Sequence, residues 1–225
     1  MKNYKILNLY ACLGGNRYKW DEVAKAANIN MSVTAVEWDE QLAKLYKERF
    51  PNDKVIVADA HQYLLQNFRN FDFIWSSPPC PTHSRARFWN AVSDKTTTLP
   101  KFPDMKLYEE IVFLQNWFKG KYCVENVIPY YDLLIPGYKR DRHIYWANFN
   151  LPNTLSERTN EYTEIKDNIP KLSNYHDYDF TKYTGEQKIY KIARNLVDYE
   201  AGRTILETAL NIQRQSNTNQ IKFNF

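Results

Sequence analysis

The sequence is short of cysteine, of net charge and of long apolar runs. Its three cysteines, Cys12, Cys80 and Cys123, are an odd number scattered over 225 residues. That argues against a disulfide framework, and no pair has the close spacing of a zinc knuckle, so no metal is expected. No stretch approaches the roughly 20 apolar residues of a membrane span. The opening residues, MKNYKILNLYACLGG, lack an apolar segment bounded by a cleavage site. Net charge is only +4, with an isoelectric point near 8.8. A polyanionic partner is therefore permitted without being demanded, and a basic surface would have to come from clustering. No internal repeat is visible. These absences lead us to expect a cytoplasmic protein with reduced thiols and no membrane association.

Apolar residues make up 44 % of the chain, enough to build a core for one domain with a small annex. Aromatic residues reach 16 %, with 17 tyrosines. Tyrosine suits half-wet surfaces, including those that stack on bases.

Short apolar runs alternate with helical periodicity. Residues 5–10 read as a buried strand ending at Gly14-Gly15, and a helix is expected from Trp20 to about Ala27. Val33–Val36 is a second strand ending at Glu37. Leu42, Leu45, Tyr46 and Phe50 lie at helical spacing before Pro51. Val55–Val57 leads to Asp59, and 71–75 leads to Ser76-Ser77-Pro78-Pro79-Cys80. A helix over 105–119, a strand at 122–124 leading into Glu125-Asn126-Val127, and a strand within 143–149 follow. This order predicts an α/β fold with a mostly parallel sheet, whose ligands bind past the C-terminal strand ends. Residues 81–104 are polar and read as a long loop. Periodicity fails over 151–187 and returns in a helix over 198–213.

The residues with chemical potential sit at the strand ends. A Gly-Gly turn lets a ligand approach backbone closely. Glu37, followed by Trp38, can hold two ribose hydroxyls, and Asp59 can accept from an adenine amino group. Two prolines hold Cys80 out at the sheet edge, where a thiolate can attack an electrophilic carbon. His83, Arg85 and Arg87 can favour the thiolate or hold a phosphate. Glu125 can read a base edge or protonate a ring nitrogen, and the arginines of Arg140-Asp141-Arg142-His143 can contact a pyrimidine oxygen. Each feature alone has a bland reading: a turn, a helix cap, a buried thiol, a basic loop.

Together, in this order, they resemble the DNA cytosine-5 methyltransferase family, especially its short phage-type members, over residues 5–150 and again over 191–212. Asn8-Leu9-Tyr10-Ala11-Cys12-Leu13-Gly14-Gly15 is similar to the family's first motif, Asp-Leu-Phe-x-Gly-x-Gly-Gly. Glu37-Trp38 is similar to its cofactor-ribose motif, Asp59-Ala60 to its adenine motif and Pro79-Cys80 to its nucleophile motif. Glu125-Asn126-Val127 is identical to its Glu-Asn-Val. Arg142 resembles its catalytic arginine, and Arg194-Asn195-Leu196-Val197 its closing motif. Departures are Asn8 for Asp, Cys12 for Gly, Arg194 and Asp198 for Gly and Pro, and Pro81-Thr82-His83 where Gln commonly follows the cysteine.

The resemblance implies a Rossmann-like methyltransferase fold using S-adenosylmethionine and releasing S-adenosylhomocysteine. It implies a catalytic domain over 1–150, a reduced target-recognition insert over 151–190, a completing helix over 191–215 and a flexible tail over 216–225. Cys80 would attack carbon 6 of a flipped cytosine, Glu125 would hold and protonate N3, and Arg142 would contact O2. Tyr10, Cys12, Gly14, Gly15, Glu37, Trp38, Asp59, Ala60, Pro79, Asn195 and Val197 would bind cofactor. His83, Ser84, Arg85, Arg87 and Arg140 would contact double-stranded DNA, with Lys95 and Lys101 as further loop cations. A monomer with a short target site is expected, acting in restriction-modification or in phage self-protection. Three rivals remain open: a cytosine-N4 methyltransferase, whose Ser-Pro-Pro matches but whose next residue is aromatic, an inactive methylase-fold DNA-binding protein, and a methyltransferase acting on RNA.

Overall fold

The computed structural model describes residues 1–93, 98–158 and 168–212. Lys95, residues 159–167 of the expected insert and the expected tail lie outside them. Seven strands form one sheet: β1 (Lys2–Leu9), β2 (Ile29–Glu37), β3 (Lys54–Val57), β4 (Phe73–Ser76), β5 (Lys121–Val127), β6 (Tyr138–Arg140) and β7 (His143–Ala147), in spatial order β3-β2-β1-β4-β5-β7-β6. The β1–β2, β2–β3, β1–β4 and β4–β5 pairs are parallel, and β7 runs against β5 and β6. Strand order reverses between β1 and β4, the point at which open α/β sheets leave a crevice for ligands.

Helices α1 (Trp20–Ala26), α2 (Glu40–Arg49), α3 (Ala60–Asn67), α4 (Arg85–Val92), α5 (Lys106–Trp117), α6 (Ile169–His176), α7 (Ile189–Asn195) and α8 (Tyr199–Ala209) complete the described elements. Side chains alternate across a strand, so each strand feeds two cores. On one face Leu7, Ile74 and Val124 pack with Leu64 of α3 and with Leu107, Ile111 and Leu114 of α5. On the other, Ile6, Phe73, Trp75 and Cys123 pack with Trp20 of α1 and with Ile205 and Leu206 of α8. Trp20 and Trp75 are among the largest fully buried side chains. Burying each such side chain contributes about 1.5–3 kcal/mol.

Four helices appear where no periodicity signalled them: α3, α4, α6 and α7. Helix α4 has no buried residue, and its apolar side chains Phe88, Trp89 and Val92 are exposed. The segment after residue 168 packs onto α2: Leu172, Phe180, Tyr183, Ile192 and Leu196 share a core with Leu13, Leu42 and Leu45. Arg158 fastens it, pairing with Asp198 at 2.9 Å and lying over the rings of Tyr175 and Tyr199. Much of the described part of 151–190 is thus spent on packing. No helix among the described residues is long and apolar enough to cross a membrane, and none of them form a cluster of three or more metal-ligand side chains.

Candidate active site

The crevice at the β1/β4 reversal is lined by Tyr10, Trp38, Asp59, Ala60, Pro78, Pro79, His83 and Lys106, among others. These side chains follow the C-terminal ends of β1, β2, β3 and β4, so one edge of the sheet gathers residues from distant parts of the chain. Trp38 is 67 % exposed at its rim, an apolar plate open to a planar ligand.

Glu37 ends β2 and is buried. One of its oxygens accepts from the Cys12 amide at 2.8 Å and the other from the Asp39 amide at 3.0 Å. Burial raises its pKa, while those same amides favour the charged form. The carboxylate therefore fixes the β1 loop to the β2 end and keeps further lone pairs for a ligand. Asp59 caps α3, accepting from Gln62 N at 2.9 Å, and its second oxygen lies 3.8 Å from Lys106 Nζ.

The β1 loop is bent hard. Tyr10, Cys12 and Gly14 all have positive φ, at 56°, 47° and 68°. Only glycine adopts that region without strain, which accounts for the family's glycine at the position of Cys12. At Gly15 a side chain would lie 2.3 Å from the Val197 carbonyl. The closing segment thus rests directly on the Gly-Gly turn, and Val197 acts there through its backbone. At Gly14 the missing side chain makes room for Phe50 and Tyr46, so both glycines serve internal packing. Asn195 is exposed at the end of α7. Asn8, buried, accepts from Asn16 Nδ2 at 2.8 Å, an amide pair that closes the loop where the family has an Asp.

Cys80 follows Pro78 and Pro79 and is partly exposed. Its carbonyl accepts from the amides of His83 and Ser84, so the chain turns sharply after it into α4. Asn126 Nδ2 donates to the Pro78 carbonyl at 2.9 Å and anchors this turn to β5. Burial pushes the Cys80 thiol up to about 11, and the Glu125 charge adds to the effect. The expected lowering by His83, Arg85 and Arg87 is not found. Glu125 is buried on β5, 3.4 Å from His143 Nε2. Arg142 is exposed in the turn between β6 and β7, and its carbonyl accepts from Ile128 N. The Val127–His143 pairing puts that turn beside Glu125. Cys80 and Glu125 are therefore brought together, with Arg142 one turn away.

The residues expected to meet DNA divide differently. His83 is 1 % exposed, bonded through Nδ1 to the Tyr131 hydroxyl, and burial lowers its pKa. It braces the turn after Cys80. The Arg140 guanidinium is engaged within the chain: it donates to the carbonyls of Pro152, Lys139 and Leu151, tying the β6–β7 hairpin to the next segment. Arg85 donates to the Pro129 carbonyl and Arg87 to that of Leu99, so both brace α4 and its loop. Ser84 bridges to Pro129 at the start of α4. The sequence reading missed the apolar side chains here. Trp89 is 63 % exposed and Phe102 95 %, and Phe88 stacks flat on Tyr130 with centroids 4.8 Å apart.

Comparison with known proteins places this geometry. Residues 4–105 match the C-5 cytosine-specific DNA methylase family. The matched stretch carries Cys80 and the cleft residues up to Asp104, whereas Glu125, Arg142 and the closing segment lie beyond it. No curated protein sequence matches the chain. Among solved structures, a methyltransferase of Entamoeba histolytica, EhMeth, is 11 % identical, with 94 % of this chain and 99 % of that one covered and a TM-score of 0.55. A mutant DNMT2 of Spodoptera frugiperda is 23 % identical over 55 % of this chain and 35 % of its own, with a TM-score of 0.36. The chain therefore spans about a third of the insect protein's length. The resemblance seen in the sequence holds over residues 4–105, and the fold is the Rossmann-like methyltransferase fold with a mostly parallel sheet. S-adenosylmethionine is the cofactor that goes with it. The donor set fits that molecule: a buried carboxylate at the β2 end, an exposed indole beside it and a capping aspartate at the β3 end.

Proposed function

We propose that the protein methylates carbon 5 of cytosine in DNA, with Cys80 as covalent nucleophile. The observation that carries this reading is one juxtaposition: the Pro78-Pro79 turn lines the cofactor cleft and hands the chain directly to Cys80, next to buried Glu125. Glu37, Trp38, Asp59 and Tyr10 would hold S-adenosylmethionine, which supplies an electrophilic methyl group on a sulfonium.

The chain's own groups do the rest. The Cys80 sulfur forms a bond to carbon 6, and the ring's π electrons move toward carbon 5. Glu125 hydrogen-bonds N3 and delivers a proton there, and Arg142 steadies O2. Once carbon 5 carries the methyl group, its proton leaves to solvent. The sulfur–carbon bond then breaks, N3 returns its proton, and the aromatic ring is restored. Acid–base assistance of this kind is worth roughly 100- to 10,000-fold in rate. A stacked base cannot reach these groups, so it must flip out, at a cost of about a few kcal/mol. Trp89 and Phe102 offer exposed rings near the turn, suited to stacking on neighbouring bases.

The test is incubation with S-adenosylmethionine and DNA containing 5-fluorocytosine, in which the carbon-5 fluorine cannot leave. A covalent adduct mapping to Cys80 is expected. Methyl transfer without an adduct would overturn the mechanism and favour attack by the exocyclic amine. DNA retention without any transfer would favour the non-catalytic reading.

A further inference from the structure

Helix α5 presents Leu107, Ile111 and Leu114 to the core, and Glu110 lies on the same stripe with its side chain fully buried. A carboxylate in that position must be matched by donors, and it is. Tyr10 OH donates to Oε1 at 2.6 Å and His61 Nδ1 lies 3.0 Å from the same oxygen. Ser76 OH donates to Oε2 at 2.6 Å. His61 also approaches Glu109 at 3.2 Å, and the Glu110 bond raises its pKa toward the charged imidazolium.

The donors come from different places. Tyr10 begins the strained β1 loop and lines the cleft, Ser76 ends β4 four residues before Cys80, and His61 stands in the first turn of α3, next to Ala60 of the cleft. None of the cofactor or catalytic assignments uses Glu110. We propose that Glu110 is a positioning residue that sets the shape of the cofactor cleft by locking Tyr10, Ser76 and His61 to one buried carboxylate. This rests on the reading of the cleft as the cofactor site. Tyr10 holds a left-handed backbone conformation that its side chain disfavours, and its hydroxyl bond to Glu110 is the contact that fixes where the ring points.

The test is equilibrium binding of S-adenosylhomocysteine, read beside the melting temperature of the free protein. Glu110→Gln keeps the volume but loses one acceptor, and Tyr10→Phe removes only the hydroxyl. Each is expected to weaken binding by about 5- to 10-fold, the net scale of one hydrogen bond. The double variant should be no weaker than the weaker single, because both break one linkage. Leu64→Val trims the same core without touching the cluster and should lower the melting temperature while leaving affinity unchanged. If wild-type protein fails to bind the product, the cofactor reading falls and this proposal with it. If wild type binds and the variants bind equally well, or lose affinity only in step with stability as Leu64→Val does, Glu110 is a core residue and the proposal alone is overturned. Should Glu110→Gln fail to fold, Tyr10→Phe and Ser76→Ala decide the matter on the same scale.

Discussion

The two sides of the sheet's functional edge are built to different degrees of completion. On the β1–β2–β3 side the geometry is fastened from within: Glu37 holds two backbone amides, Glu110 holds Tyr10, and Asp39 caps α2 while accepting from Gln187 and Tyr183 of the segment after residue 168. On the β4–β5–β7 side the reactive groups are collected but not charged for reaction. Burial holds Cys80 as a thiol, the Glu125 charge works against its ionisation, and Arg142 is exposed. The cleft side is thus preorganised for its ligand.

That contrast breaks most sharply at Cys80. Cys80→Ala should lower methyl transfer by on the order of 10,000-fold or more while leaving S-adenosylhomocysteine affinity intact. Loss of both together would show that the two sides are not separable. Glu125→Gln should cost about 100-fold in kcat. Because the Glu125 charge raises the Cys80 pKa, the same substitution should shift the pH dependence of Cys80 alkylation to lower pH. In the wild-type free protein, alkylation of Cys80 should rise with pH through about 11, since only the thiolate reacts. At pH 7 it should run roughly 100-fold slower than at an ordinary exposed cysteine. A plateau near pH 8 or 9 would mean that a cation reaches the sulfur. On the cleft side, Cys12→Gly should raise stability by about 0.5–1 kcal/mol by relieving its positive φ, a gain measurable by denaturant unfolding. Arg140→Met should cost a similar amount, about 1 kcal/mol, with DNA affinity unchanged. A clear drop in DNA affinity would restore Arg140 to the interface.

The cleft side was also the more legible in sequence. Its strands are short apolar runs, and each hands over to a polar residue at its C-terminal end, so Glu37, Asp59 and Cys80 announced their places. The second side depends on contacts that spacing does not reveal. Arg140 and His83 look like surface groups in sequence, and only the fold shows that backbone carbonyls and Tyr131 claim them. Helix α4 was read as loop because it buries nothing. Glu110 did leave a signal: Leu107, Glu110, Ile111 and Leu114 share one helical face, and a carboxylate on an apolar stripe marks a buried partner. In the segment after 151, rings and arginines such as Tyr175 and Arg158 do the packing that aliphatic periodicity would otherwise betray.

Trp20 donates to the Gly202 carbonyl across 182 positions of sequence, and the backbone at Val197 lies against Gly15. A loop made early in synthesis is thus shaped by a segment made much later. At about 5–20 residues per second, synthesis separates the two by roughly 10 to 35 seconds. During that interval the nascent chain has its turn but not the surface that seats it, and truncated products that stop before α8 should expose an unseated loop.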